Sequence, residues 1–172
     1  MPICNYNSYE CESRNGQKRK LMPTSSRFAV AVHVLALLAR AGDEPVKSDS
    51  VAASVNTNPV VIRRILCALA RARLIASQTG ATGGSRLACA PEQITLRDVY
   101  RAVEGGDTFL LHRQRPSRRC VVGANIGAVL GGVLRETNAA VEQALARTTI
   151  ADIVARIQPC PPVRKRRRAA GR

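Results

Sequence analysis

Residues 48–73 read SDSVAASVNTNPVVIRRILCALARAR, and this stretch decides the fold. A short helix over about Ser48–Val55 is predicted, with Ser48 as N-cap. Asn56-Thr57-Asn58-Pro59 then makes a turn, with Asn58 a good N-cap and Pro59 at the first position of a further helix. That helix is expected to run to about Arg73. Ile62, Ile65, Leu66 and Leu69 fall at i, i+3, i+4 and i+7, which makes a core stripe. The opposite side carries Val60, Arg63, Arg64, Cys67 and Arg71. Short helix, tight turn, basic helix is the helix-turn-helix pattern. Arg can fork onto guanine, Asn can pair with adenine and an apolar group can meet a thymine methyl. A basic face alone is also what a solvated helix carries, so the next segment has to decide.

From Leu74 the period changes. Leu74–Ser77 and Ser85–Cys89 read as short strands around Gln78-Thr79-Gly80-Ala81-Thr82-Gly83-Gly84, whose three Gly in seven residues suit a hairpin. A hairpin directly after a reading helix is a wing, and Gly there lets backbone approach phosphates. A nucleotide-phosphate cradle is the weaker reading: no Lys-Ser/Thr follows the glycines and no helix starts at once. Thr57, Asn58, Val60, Arg63 and Arg64 form the expected base-reading set. Arg27, Ser85 and Arg86 are expected to hold the phosphate backbone, and Ser48 and Thr82 complete the DNA-binding residues.

Upstream, a first helix is expected over about Ser25–Ala41, ended by Gly42. Lys18-Arg19-Lys20 before the apolar run Phe28–Ala39 imitates a secretory signal. At about a dozen residues the run is too short to span a membrane and is assigned to a buried helix. His33 within it is expected in the core or at a dimer interface. Downstream, Thr95-Leu96-Arg97-Asp98 is a capping box opening a helix to about Val103, stopped by Gly105-Gly106. A basic linker follows, with His112, Arg113, Arg115, Arg118, Arg119 and Cys120. The longest helix is predicted over about Asn125–Ala146, with a final short helix capped at Thr149. Ile126, Val129, Leu130, Val133, Leu134, Val141 and Leu145 make an apolar stripe that nothing in the same chain is expected to cover. A second copy would cover it, hence a homodimer. Gly123, Gly127 and Gly131 recur every four residues, which suits either close helix crossing or a frayed helix start.

Composition bounds the rest. The chain has 172 residues, 45% apolar but only 3% aromatic with no Trp, so its core must be aliphatic and helical rather than a β-sandwich. Lys and Arg number 27 against 12 Asp and Glu, net +15. Residues 160–172 contribute +6 and residues 1–21 contribute +2, so the middle is itself basic. A polyanion is the default partner. The six Cys (4, 11, 67, 89, 120 and 160) form no C-x-x-C and have no His at ligand spacing. This argues against structural zinc and a disulfide framework and for reduced thiols in a cytoplasm. No nucleophile–base–acid set or catalytic metal spacing appears, so no enzyme is expected.

The fold class is therefore mostly α with a small β-hairpin wing: a winged helix-turn-helix head plus a long C-terminal dimerisation helix. Its expected divisions are a disordered extension 1–21, with Met22 as a natural start; a head 22–106; a basic linker 107–122; dimerisation helices 123–158; and a disordered basic tail 159–172.

Ser25-Ser26-Arg27-Phe28-Ala29-Val30-Ala31, the run Ser54–Arg64, Thr95–Glu104, Cys120-Val121-Val122-Gly123 and Leu145–Ile150 together resemble the Rrf2 family of bacterial transcriptional regulators. The resemblance covers about residues 22–157 and points to the cluster-free, YwnA-like branch. It implies a dimeric winged-helix repressor with a long crossing dimerisation helix. Iron–sulfur members place three Cys between the fourth helix and the dimer helix, where this chain offers only Cys120. No cofactor is therefore expected, since an iron–sulfur cluster normally takes four ligands, mostly thiolates. Family wings often carry Arg-Gly-Pro; here Thr79-Gly80-Ala81 stands instead, with Arg86 as the candidate substitute.

Cys120, beside Arg118 and Arg119, and Cys67, on the face of Arg63, Arg64 and Arg71, are the candidate redox sensors, since positive neighbours favour thiolate. Oxidation at Cys67 would add bulk and negative charge where phosphate must sit. A small-molecule effector is left unassigned. The expected function is sequence-specific DNA binding to a pseudo-palindromic double-stranded operator, with repression by operator occlusion and no membrane partner. The competing classes are a non-specific nucleic-acid binder driven by the basic arms and a protein-interaction module that has lost DNA binding. The scarcity of aromatics argues against the former, because single strands are gripped by stacking.

Overall fold

The computed structural model describes residues 10–12, 18–20, 26–78, 80, 83–104, 109–112 and 114–158. Its architecture is mostly helical with a two-stranded antiparallel hairpin, as the sequence predicts. In chain order the strands β1 (Glu10–Glu12) and β2 (Lys18–Lys20) precede α1 (Arg27–Ala41), α2 (Ser48–Val55) and α3 (Pro59–Arg71). The hairpin strands β3 (Ile75–Gln78) and β4 (Gly84–Leu87) follow, then a 3-10 turn at Pro91–Gln93 and α4 (Leu96–Glu104). α5 (Val121–Ala146) and α6 (Ile150–Arg156) end the described chain. Among the described residues no helix is long and apolar enough to cross a membrane.

The head is built around aliphatic side chains at helical spacing. Val34, Leu35 and Leu38 of α1, Val51 of α2, and Ile62 and Leu69 of α3 are fully buried in one cluster with Ile94 and Val99. Removing such a side chain from water is worth about 1.5–3 kcal/mol, so the core stripe of α3 secures its outward face. Asn56 ends α2 in the left-handed region (φ 55), and its N–H returns to the carbonyls of Ala52 and Ala53. That left-handed residue turns the chain from α2 into α3, and Asn tolerates the conformation better than most residues.

Several boundaries differ from expectation. The N-cap of α2 is Lys47, not Ser48: the first helical bond runs from Val51 N to the Lys47 carbonyl at 3.1 Å, leaving Ser48 inside the helix. Lys47 is held extended because its neighbour Val46 pairs with Ser85 across both backbone bonds, each 2.9 Å. The wing is thus tied back to the connection between α1 and α2. α5 begins at Val121, four residues before the expected Asn125, and the irregular linker ends at Cys120. Gly123 permits this start, because a Cβ there would collide with the Ser117 carbonyl oxygen. Close packing of the preceding turn, rather than a helix crossing or fraying, explains that glycine. His33 is exposed, not in the core, and its Nε2 lies 3.2 Å from Ser54 Oγ on α2.

The largest departure concerns α6, expected to belong with the dimerisation helix. It returns to the head. Leu96 N donates to Thr148 O and Ile150 N to Ile94 O, each at 2.9 Å, and the Ile150 side chain is fully buried in the head core. Its capping box forms as the sequence predicts: Asp152 N donates to Thr149 Oγ1 at 3.1 Å and Thr149 N to Asp152 Oδ2 at 2.8 Å. The equivalent box at Thr95 and Asp98 opens α4.

Within the expected disordered extension, β1 and β2 pair antiparallel, setting Glu10 opposite Lys20 and Glu12 opposite Lys18. The remainder of 1–21, and the basic tail from residue 159 on, lie outside the described residues.

Candidate nucleic-acid interface

The interface is built from the start of α3 outward. Asn58 is extended (φ −65, ψ 130) and its Oδ1 accepts from Val60 N at 2.8 Å. With Pro59 at the first helical position, the helix start is fixed by two adjacent residues. Val60 is 49% exposed, and Arg63, Arg64, Cys67 and Arg71 are all exposed. The predicted outward face is the observed one. Asn58 serves first as a cap, so its Oδ1 is already engaged where a bidentate adenine contact would need it. Thr57, half-buried in the turn, donates its N–H to Ala52 O at 3.1 Å.

Arg63 and Arg64, adjacent in sequence, leave the helix toward different neighbours. Arg63 faces a groove of about 690 Å³ between α2, α3 and the wing, shared with Lys47, Ser48, Asp49, Cys67 and Gln78. Its NH2 lies 3.6 Å from Asp49 Oδ1, with both side chains largely in water. Such a pair is loose and exchangeable. Arg64 lies instead on the flank toward α1, where it shares a smaller depression of about 280 Å³ with Arg27, Val61 and Val103. The structure therefore groups Ser48, Arg63 and Cys67 with the wing, and Arg27 with Arg64.

The wing corrects one assignment. Ser85, expected to touch phosphate, is buried: its Oγ lies 2.9 Å from Ser77 Oγ and its backbone pairs with Val46. Alternation along β4 puts Arg86 on the opposite, exposed face. Packing calls for glycine at Gly84, since a Cβ would come within 2.9 Å of Pro45 Cβ and of Val46 O. Thr82, like Thr79 and Ala81 of the loop tip, lies outside the described residues. Sequence reasoning missed Lys47, Asp49 and Gln78 as groove residues; the Gly83-Gly84 pair was the available sign that a further segment packs against the wing.

The long helix is partly covered by its own head. Arg101 Nε donates to Glu142 Oε1 at 3.0 Å and its NH2 to Oε2 at 2.5 Å. Asn138 bonds both backbone groups of Phe109, its Oδ1 accepting from N and its Nδ2 donating to O, each at 3.2 Å. Partial burial of Ile126, Leu130, Leu134, Val141 and Leu145 corrects the expectation of a stripe wholly uncovered by its own chain. Val129 and Val133 remain exposed, at 68% and 54%, while Ile126, Leu130, Leu134, Val141 and Leu145 are half-buried.

Cys120 is exposed at the N-cap of α5. The N–H groups of Gly123 and then Val122 at the helix start hold its thiol below the ordinary cysteine range, against a smaller opposing effect of burial, although the thiol makes no close capping hydrogen bond. The helix start, not Arg118 and Arg119, supplies that stabilisation. Cys67 is likewise exposed, and Cys89 half-buried. As donors, the described thiols sit on α3, after β4 and at the head of α5, and no three His, Cys, Asp or Glu among the described residues converge on a metal position. One thiol at the start of α5 does not fit a cluster normally held by four ligands.

Comparison with known proteins agrees with this geometry. Residues 24–156 match the family described as Rrf2, iron-dependent transcriptional regulator. YwnA of Bacillus subtilis, described as an HTH-type transcriptional regulator, is 37% identical over 130 residues, covering 76% of this chain and 96% of the relative. A crystal structure described as that of a DNA binding protein is 36% identical, with a TM-score of 0.61, covering 74% of this chain and 98% of that one. A transcriptional regulator from Lactobacillus plantarum is 27% identical with a TM-score of 0.65, covering 76% and 88% respectively. The family and the curated relative are transcriptional regulators, not enzymes.

Proposed function

Because the chain belongs to the Rrf2 family of DNA-binding transcriptional regulators, we propose that it acts as a cytoplasmic homodimeric repressor of a pseudo-palindromic operator. The observation that carries this reading is α3: capped by Asn58, anchored by four buried aliphatic residues, exposing Val60 and presenting Arg63 beside the wing. Val60, Arg63 and Arg64 would meet base edges, and Arg27 and Arg86 the phosphates. Two copies joined along Ile126, Val129, Leu130 and Val133 of α5 would present two such helices, and half-sites whole helical turns apart follow from two-fold symmetry. Occupancy of a promoter-overlapping operator would exclude polymerase. No step requires a cluster, which suits a donor set reduced to Cys120. Thiol-dependent control would act through Cys67, beside Arg63 on the DNA-facing groove, or through Cys120 at the start of α5.

The test is an anisotropy titration of the full chain against the duplex upstream of its own gene and against a shuffled duplex, at two salt concentrations. Binding at least about 10³-fold tighter to the upstream duplex supports the reading. Equal affinity with a steep salt slope would leave phosphate contacts alone and favour a non-specific binder driven by the basic arms.

A further inference from the structure

Two polar grips hold α5, one to α4 of the head and one to the linker backbone at Phe109, and both lie on one face of that helix. Asn138 and Glu142 are one turn apart, and Gly131, buried beneath Leu111, lies two turns before Asn138. At about 100° per residue these three fall within about 40° of one another, and roughly 150° from the centre of Ile126, Val129, Leu130 and Val133. Burial follows the same division. Leu134, Val141 and Leu145, between the two faces, are half-buried, while Val129 and Val133 are exposed. One face of α5 is therefore taken by its own head and another left for a partner.

The grips are polar and directional. Arg101 meets Glu142 through two donors, an arrangement that fixes orientation as well as distance. Asn138 closes a double hydrogen bond on the Phe109 backbone, fixing the linker against α5 at that residue. Exposed ion pairs contribute little to stability, so the consequence lies in geometry. α4 is itself fixed to α1 and α3 through buried Val99 and Val103. Whatever sets α4 on α5 sets α3 as well.

We propose that Arg101, Asn138 and Glu142 are spacing determinants: by locking each head at one angle on α5 they set the distance and phase between the two half-sites that a dimer accepts. The proposal rests on the homodimeric operator-binding reading above. Changing the spacing by one base pair turns a half-site by about 34° and moves it about 3.4 Å, so rigid heads must discriminate sharply and loosened heads must not.

The experiment is in vitro selection from a random-sequence duplex library with the full chain as wild type, E142Q and N138A/E142Q, with helicity and mass measured for each. The wild type is expected to enrich one palindrome at one spacing, preferred at least about tenfold over neighbouring spacings. The variants should enrich the same half-site sequence over several spacings, with E142Q intermediate. Folded, dimeric variants that keep the wild-type spacing, or that enrich nothing, would overturn the proposal while leaving the operator reading intact. A wild type that enriches no paired half-sites would instead remove the reading on which it rests.

Discussion

Gly84 and Pro45 are in backbone contact: a single carbon added to Gly84 would lie 2.9 Å from both the Pro45 carbonyl carbon and its Cβ. The contact seats the wing against the segment that leads into α2, where Val46 and Ser85 exchange two hydrogen bonds. G84A must push the wing away from that segment. Overpacking of this kind costs about 1–3 kcal/mol, and the wing should lose its fixed place beside α3. Urea unfolding and DNA affinity are both expected to decline. A G84A protein as stable as the wild type would show that the wing is not seated this way.

Asn58 separates two roles. Replacing it by Ala removes the acceptor for Val60 N and should cost about 0.5–2 kcal/mol of stability. N58D keeps the acceptor and should restore most of that stability, yet bring a negative charge toward DNA. Equilibrium unfolding together with DNA titration would resolve the two effects; an Asp variant that binds DNA as well as the wild type would place Asn58 away from the duplex.

Arg63 and Arg86 should differ in kind. R63A is expected to cost about 1–3 kcal/mol on the cognate site and to relax base preference there. R86A should weaken binding to all sequences alike and lower the salt slope by about one. Affinity for a set of single-base operator variants at several salt concentrations checks both. Unchanged preference in R63A would remove Arg63 from the reading set.

Cys120 should be the fastest of the described thiols to alkylate near neutral pH, because the N–H groups of Gly123 and Val122 favour its thiolate. C120S should abolish the fast phase. R118A/R119A should leave it nearly unchanged, since the stabilising groups belong to the helix start. A fast phase that disappears with the two arginines would reverse that assignment.

Acid should loosen the return of α6 and the grip on α5 together. Backbone and side-chain hydrogen bonds from Thr149 hold the Asp152 carboxyl below its ordinary range, and the Arg101 hydrogen bond does the same for Glu142. A folded-state pKa below the unfolded one means stability that is complete above the ordinary carboxylate range and is lost as pH falls through the lowered folded value. Stability measured from pH 6 downward should therefore decline below about pH 4, and D152N should flatten part of that dependence. An unaltered profile in D152N would show that the cap does not titrate with folding.

Much of the local grammar of the head was legible. Asn58-Pro59, the stripe Ile62–Leu69 and the Thr-x-x-Asp boxes state their structure within a few residues, because caps and periodicity act over one or two turns. What stayed hidden was set at a distance. Ser85 looks like an exposed strand serine until Val46 pairs with it, and Ile150 looks like part of an exit helix until it enters the head core. Gly123 and Gly84 advertise only freedom, whereas each is required by a carbonyl or a proline elsewhere. Arg101 and Glu142, 41 residues apart, carry no shared local sign at all.

The return of α6 bears on how the protein is made. Ile150 completes a core begun by Ala31 and Val34 more than a hundred positions earlier. A ribosome delivers the reading helix long before it delivers the side chain that closes the hydrophobic centre behind it, and contacts so far apart in sequence form late. The nascent head must therefore wait, unfinished, through the synthesis of the whole α5 excursion. The hydrophobic centre behind α3 is closed only once α6 has followed the whole of α5.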